Sequence, residues 1–199
     1  MNRGFRNCYQ FVGKKDYESE ALKWGYLSSH LRICGMKVGV GASVYTDALE
    51  VIQKKENFFV ISSNGDDLFE RNSFPVERVY TPQGSFRKFQ CSKPCSQESW
   101  WDATDQIVQM SEHVDRETQL LKDESLIPKC AKCNGNVTVN LRGGSYFLET
   151  PQGPNRKRYE NFVQHLVYNN SKVLILDVGS GFNTPTVIRF RFVQAFRTS

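Results

Sequence analysis

Cys91-Ser-Lys-Pro-Cys95 and, further on, Cys130-Ala-Lys-Cys133 are the two stretches that organise this chain. Thiolates at two- or three-residue spacing can place both sulfurs on one tetrahedral metal ion. Two such pairs complete a closed, all-sulfur site, the pattern of structural zinc. A catalytic zinc would keep one position open for water. The alternative is a pair of disulfides, which suits a secreted protein. The start, MNRGFRNCYQ, lacks the apolar centre of a signal peptide, and Cys8 and Cys34 are left outside the paired set. These features favour zinc at Cys91, Cys95, Cys130 and Cys133, and a reducing compartment, cytoplasmic or nuclear.

The rest of the composition sets wide bounds. The chain has 199 residues, 39% hydrophobic and 24% charged, with a net charge of +5. That is ordinary for a globular protein of one core plus a small module. Mild basicity permits an acidic or nucleic-acid partner without implying one. Lys129, Lys132 and Arg142 lie near the cysteines, but acidic residues from Glu98 to Glu124 interrupt any basic stripe, so a nucleic-acid-binding ribbon ranks last. No apolar run approaches a membrane span.

Along the chain, residues 1–15 read as an irregular lead-in. Asp16 is a candidate cap for a helix carrying Tyr17, Ala21, Trp24, Leu27 and Leu31, with His30 in its last turn. Gly39-Val-Gly41 before a second helical pattern is either a phosphate cradle or a plain loop. The apolar residues 58–61 read as a buried parallel strand ending in Ser62-Ser-Asn64-Gly-Asp66. Ligands of open α/β sheets bind past the carboxyl ends of such strands, although an Asx-rich turn reads the same way. A second strand, 78–80, leads to Gln83-Gly-Ser85, and residues 86–90 run into the first cysteine pair. Residues 100–113 look helical, 115–122 continue the pattern, and 136–142 read as a strand. His113 is expected on an exposed helix position. Residues 145–149 form another strand and 155–168 a helix. Val173-Leu-Ile-Leu-Asp-Val178 is the clearest buried strand, and it empties into Gly179-Ser-Gly181-Phe-Asn-Thr184-Pro185, a nucleotide contact or a Gly-rich turn. The alternation predicts a three-layer α/β domain interrupted by a zinc ribbon.

In this order the motifs resemble the sirtuins. Asn64-Gly-Asp66 resembles their Asn-x-Asp motif, and Gln83-Gly-Ser-Phe86 their His-Gly segment. The cysteine pairs resemble their zinc ribbon, Arg142-Gly-Gly-Ser-Tyr-Phe-Leu-Glu149 the return to the main domain, and residues 173–185 the strand and Gly-Ser loop that hold the nucleotide. The resemblance covers about 45–189. It is strongest to the macrodomain-linked branch, which has Gln where other sirtuins have the catalytic His, as at Gln83. It implies a Rossmann-like three-layer parallel-sheet domain, split over 1–90 and 143–199, with the zinc module at 91–142. Relative to the family, the chain starts after the early phosphate loop and ends soon after the Gly-Ser loop, so the nucleotide domain is expected to be incomplete.

The resemblance further implies cleavage of the nicotinamide–ribose bond of NAD. Asp66 would hold the nicotinamide carboxamide and Asn64 would orient the ribose or the attacking group. Gly179, Ser180, Gly181 and Thr184 would line the nucleotide. An amide at Gln83 takes up no proton near neutral pH, so general-base deacylation is disfavoured. The branch implies mono-ADP-ribosyl transfer from NAD to a protein, with a macrodomain hydrolase as functional partner. The alternatives are a zinc-stabilised module that binds NAD weakly or not at all, and an NAD-dependent lysine deacylase.

Overall fold

A computed structural model describes residues 17–179 and 187–188. In chain order the elements are helix α1 (Glu20–Arg32), a π-helical turn (Ile33–Lys37), α2 (Ser43–Ile52), β1 (Val60–Ile61), α3 (Leu68–Arg71), β2 (Val79–Tyr80), β3 (Gly84–Cys91), β4 (Trp100–Asp102), α4 (Thr104–Glu112), β5 (Val137–Leu141) and α5 (Gly153–Tyr168). They form two compact units. One takes in 17–40 and 85–148, the other 41–84 and 149–179. The lead-in 1–15, the candidate cap Asp16, and Cys8 lie outside the described residues.

The first unit is built on the sheet β4-β3-β5, with α1 and α4 packed on each other. Ser19 starts α1: its hydroxyl accepts the Leu22 N–H at 3.1 Å, satisfying one of the donors a helix leaves open at its amino end. The buried face of α1 presents Trp24, Leu27 and Leu31 to Phe86, Phe89, Ile107, Met110, Val137 and Val139. The Trp24 and Phe89 rings lie 5.0 Å apart, within the favourable range for tilted aromatic pairs. His30 does sit in the last turn of α1.

Three expectations are corrected here. Residues 100–102 are a strand, not the start of a helix, because Trp100 and Trp101 pair with Gln90 and Phe89 on a pleated surface where aromatic rings pack well. The Asp102 carboxylate then accepts the Thr104 N–H at 2.9 Å and opens α4. His113 is exposed, as expected, but it lies just past the end of α4 rather than within the helix. Residues 115–122 do not continue the helix. Asp115 accepts the N–H groups of Glu117 and Thr118 at 3.0 and 2.9 Å, an Asx-type turn that competes with helix. Those bonds, led by the Thr118 amide, hold the Asp115 pKa down to about 2. The turn docks on α1 through Leu121 N–H to the Ala21 carbonyl at 3.1 Å. It fits only because residue 25 is glycine: a Cβ there would run into the Gln119 carbonyl and sit 2.8 Å from the Leu121 nitrogen.

Residues 145–149 form no strand either. Two fully buried amides hold this segment instead. Gln90 Oε1 accepts from Asn140 Nδ2 at 2.6 Å and from the Leu148 N–H at 3.0 Å. Gln90 Nε2 donates to the Tyr146 carbonyl at 2.7 Å, and Asn140 Nδ2 to the Leu148 carbonyl at 2.9 Å. The side chains take the place of a strand partner, so buried backbone groups stay paired.

The second unit holds the parallel pair β1–β2, with Val60 opposite Val79 and Ile61 opposite Tyr80. The mixed α/β class with a parallel sheet is therefore as expected. The strand expected at 58–61 is limited to β1 and is only half-buried. Helix α5 packs against β2, with Tyr159 stacked on Tyr80 at 5.9 Å and Phe162 5.5 Å from Phe59. Residues 173–178 depart most from expectation. They form no strand, and Leu174 and Val178 are 83% and 84% exposed. Such a run is buried as a strand only when a neighbour pairs with it. Among the described residues, neither β1 nor β2 does.

Candidate active site and metal centre

Because β1 and β2 are parallel, the segments that leave them emerge at the same edge of the sheet. Ser62 to Asp66 follow β1, and Thr81 to Gln83 follow β2. Asn64, Asp66 and Gln83 are thus gathered by topology at the carboxyl edge, where α/β sheets bind ligands. Ser62 is buried, and its hydroxyl accepts the Asn64 N–H at 3.2 Å, fixing the turn. Asn64 itself is exposed. Asp66 is partly buried and accepts the Leu68 N–H at 3.1 Å. Burial pushes its pKa up; the Leu68 amide and the Arg71 guanidinium oppose this, and the Asp67 carboxylate adds to it. A carboxyl held in such surroundings marks a candidate functional group.

Gln83 is 9% exposed, and its Oε1 has no hydrogen-bond partner among the described residues. The next residue, Gly84, has φ +94°, a conformation open to glycine and strained for other residues. The turn therefore depends on glycine at position 84. A buried amide oxygen without a partner costs about 1–3 kcal/mol, and a ligand donor would relieve that cost.

Two residues were not singled out from sequence. Arg71 donates from Nη1 to the Asp66 carbonyl at 3.2 Å, so it positions the Asp66 backbone as well as its charge. Tyr45 on α2 is close enough to Asp66 that the carboxylate, after burial, helps to raise the phenol's pKa. Arg71 was within reach of sequence reasoning as a basic residue closing a short helix after Asp66. Tyr45 carries no local signal.

The Gly41 N–H donates to Asn72 Oδ1 at 2.7 Å, so the supposed phosphate cradle has an amide already engaged. Gly179 has φ +69°, and among the described residues no atom beyond its chain neighbours lies within 4 Å of a Cβ built on it. Ser180, Gly181 and Thr184 lie outside the described residues.

The four thiols do converge. Cys91 Sγ lies 3.7 Å from Cys133 Sγ, and Cys95 Sγ lies 3.7 Å from Cys130 Sγ. All four sulfurs are within 4.8 Å of one another. A disulfide needs about 2.05 Å, so these are free thiols. Sulfurs about 2.3 Å from a common ion stand about 3.8 Å apart along a tetrahedron edge, so the spacing suits a tetrahedral metal ion. Cys91 ends β3 and is buried with Cys130, whereas Cys95 and Cys133 face solvent. The second knuckle closes through Asn134 N–H to the Cys130 carbonyl at 2.7 Å, with Asn134 itself at φ +54°. Burial pushes the Cys130 thiol up, but the amides of Cys133 and Lys132 and the neighbouring thiols outweigh it and bring it down to about 7. The shift is not shared, since the Cys95 and Cys133 thiols are pushed up, so a metal ion held by the four deprotonated sulfurs would have to displace their protons. Lys132, which donates to Ser96 at 2.9 Å and pairs with Glu98 at 3.3 Å, is engaged within the module.

No protein-family model matches the chain. A protein of Fusarium oxysporum f. sp. cubense named probable bifunctional ADP-ribose hydrolase/ADP-ribosyltransferase is 31% identical over 94% of the chain. A Staphylococcus aureus protein ADP-ribosyltransferase is 24% identical over 91% of it. The chain spans 31% of the length of the first and 56% of the second. A solved Sir2 homologue in complex with ADP-ribose aligns with TM-score 0.45 and 16% identity, covering 82% of this chain and 58% of that one. Along nine tenths of its length the chain is thus similar to two proteins named as ADP-ribosyltransferases, and it carries Asn64, Asp66, Gln83 and the four cysteines in that order.

Proposed function

We propose that this chain carries out NAD-dependent mono-ADP-ribosyl transfer to a protein, with release of nicotinamide, and that Cys91, Cys95, Cys130 and Cys133 hold a structural zinc. The observation that carries the reading is Gln83, a buried amide with an unpartnered oxygen at the edge where Asn64 and Asp66 also emerge. Asp66 would grip the nicotinamide carboxamide, with Arg71 fixing its backbone. Asn64 would orient the ribose. Gly179, Ser180, Gly181 and Thr184 would complete the nucleotide contacts. Breaking the nicotinamide bond leaves positive charge on the ribose, so a site that grips the two halves apart and sheds water favours the transition state. Gln83 can hydrogen-bond a ribose hydroxyl but cannot remove its proton, which favours transfer to the acceptor's own nucleophile over deacylation. Zinc would act as a folding clamp with no part in the chemistry.

The same proposal includes a reducing intracellular setting, in which four thiols stay available for metal. It also includes the split nucleotide domain over 1–90 and 143–199 around the 91–142 module. A macrodomain hydrolase is the proposed functional partner, supported by the fungal relative, whose name joins a hydrolase to a transferase. A specific observation favours a second reading. The exposed side chains of Val173, Leu174, Leu176 and Val178, unpaired in any described strand, fit a zinc-stabilised scaffold that binds NAD weakly or not at all.

Zinc-loaded chain incubated with labelled NAD and a panel of acceptor proteins separates these readings. The proposal expects label on protein and free nicotinamide, both lost in Asp66→Ala. Removal of acyl groups from lysine without protein labelling would assign deacylation instead.

A further inference from the structure

The opposite edge of the parallel pair carries a groove that the NAD reading leaves unused. Phe59 enters β1, and Glu77 and Arg78 enter β2, so they mark the amino edge, away from Asn64 and Gln83. With Arg158, Asn161 and Phe162 of α5 they line an open groove of about 350 Å³. Its floor is fixed: Phe59 lies 5.5 Å from both Tyr159 and Phe162, and Asn155 ties α5 to the Val76 carbonyl at 3.0 Å. Its two guanidinium groups make neutral contacts within the unit. Arg78 donates to the Phe58 carbonyl at 3.3 Å and lies over the Phe58 ring, and Arg158 donates to the Asn155 side chain. Among the described residues neither guanidinium pairs with a carboxylate. By contrast, nearby Arg156 pairs with both Glu149 and Glu160 at 2.9 Å.

We propose that this groove docks an acidic peptide segment of a partner protein, with an apolar side chain on Phe59 and Phe162 and carboxylates on Arg78 and Arg158. Guanidinium groups bind carboxylates in forked pairs and are favoured at protein interfaces. Glu77 on the rim would select against a basic segment. A small ligand would need a concave pocket that covers most of its surface, which this open groove does not provide. The inference stands apart from the NAD chemistry and is read without NAD.

The test is fluorescence anisotropy of the metal-loaded chain with a short labelled peptide of Asp and Glu around a central Phe. Its charge-reversed Lys version and AMP serve as competitors. The expected result is saturable, salt-sensitive binding that weakens at least about tenfold in Arg158→Glu. Arg158 is an exposed helix residue, so this variant should keep the far-UV spectrum of the parent. Asn161→Ala, also exposed, gives a second reading on the same wall. No saturable binding, binding unchanged in Arg158→Glu, or displacement by AMP but not by excess unlabelled acidic peptide would each overturn the proposal.

Discussion

In the unit of residues 17–40 and 85–148, Trp24, Phe89, Ile107 and Met110 are wholly shielded from solvent. In the unit of 41–84 and 149–179, helices α2 and α5 bury no residue completely. Its buried apolar residues, among those described, are Phe74, Val79 and Tyr80. The first unit also keeps its buried amides paired, through Gln90 and Asn140, and gathers four thiols. The second holds Gln83 with an unpartnered oxygen and Asp66 with a raised pKa. The contrast teaches where structure and chemistry reside. The cysteine unit pairs its buried Gln90 and Asn140 amides internally, with His30 Nε2 as its buried atom left without a hydrogen bond among the described residues. The second unit leaves the Gln83 amide oxygen unpartnered at one edge of its sheet.

Breaking the proposed metal centre should have the largest effect. Zinc affinity of small all-thiolate modules is on the order of 10–16 kcal/mol of folding free energy. Cys130→Ser should abolish stoichiometric zinc and the hydrogen-exchange protection of β3 and β5, read by metal analysis and mass spectrometry. Full protection without metal would show that the apolar core alone suffices.

Next comes the amide pair. Gln90→Leu leaves the Leu148 N–H, the Tyr146 carbonyl and Asn140 without their partner. At roughly 1–3 kcal/mol for each orphaned group, a loss of at least about 3 kcal/mol is expected in denaturant unfolding. A neutral outcome would mean that water replaces the pair.

The smallest effect sharpens the contrast from the other side. Because burial raises the Asp66 pKa in the folded state, protonated Asp66 favours folding, and that advantage is lost as pH rises through the raised value. Asp66→Asn should therefore match the parent at about pH 3 and exceed it slightly near pH 7. The reverse pH trend in melting temperature would contradict the account of Asp66.

The same contrast explains what could be read from sequence. The thiol cluster was legible because metal geometry fixes residue type and spacing locally. Helices α1 and α5 were legible from apolar period. The order of Asn64, Asp66 and Gln83 was legible because each follows a short apolar run. What failed was decided by distant partners. Residues 100–102 became a strand because β3 offers a pairing edge. Residues 145–149 needed no strand because Gln90 and Asn140 supply their hydrogen bonds. Residues 173–178 have strand-forming side chains but no pairing neighbour among the described residues. The Gly25 contact with the 119–121 turn is likewise invisible to any local pattern.

The most direct test of the central claim is calorimetric titration of NAD into the zinc-loaded chain, alongside Asp66→Ala. The account predicts saturable binding in the parent and its loss in the variant, with zinc content and fold unchanged. Absence of binding by the folded, zinc-replete parent, or equal binding by both proteins, would contradict an NAD site at the carboxyl edge of the parallel pair.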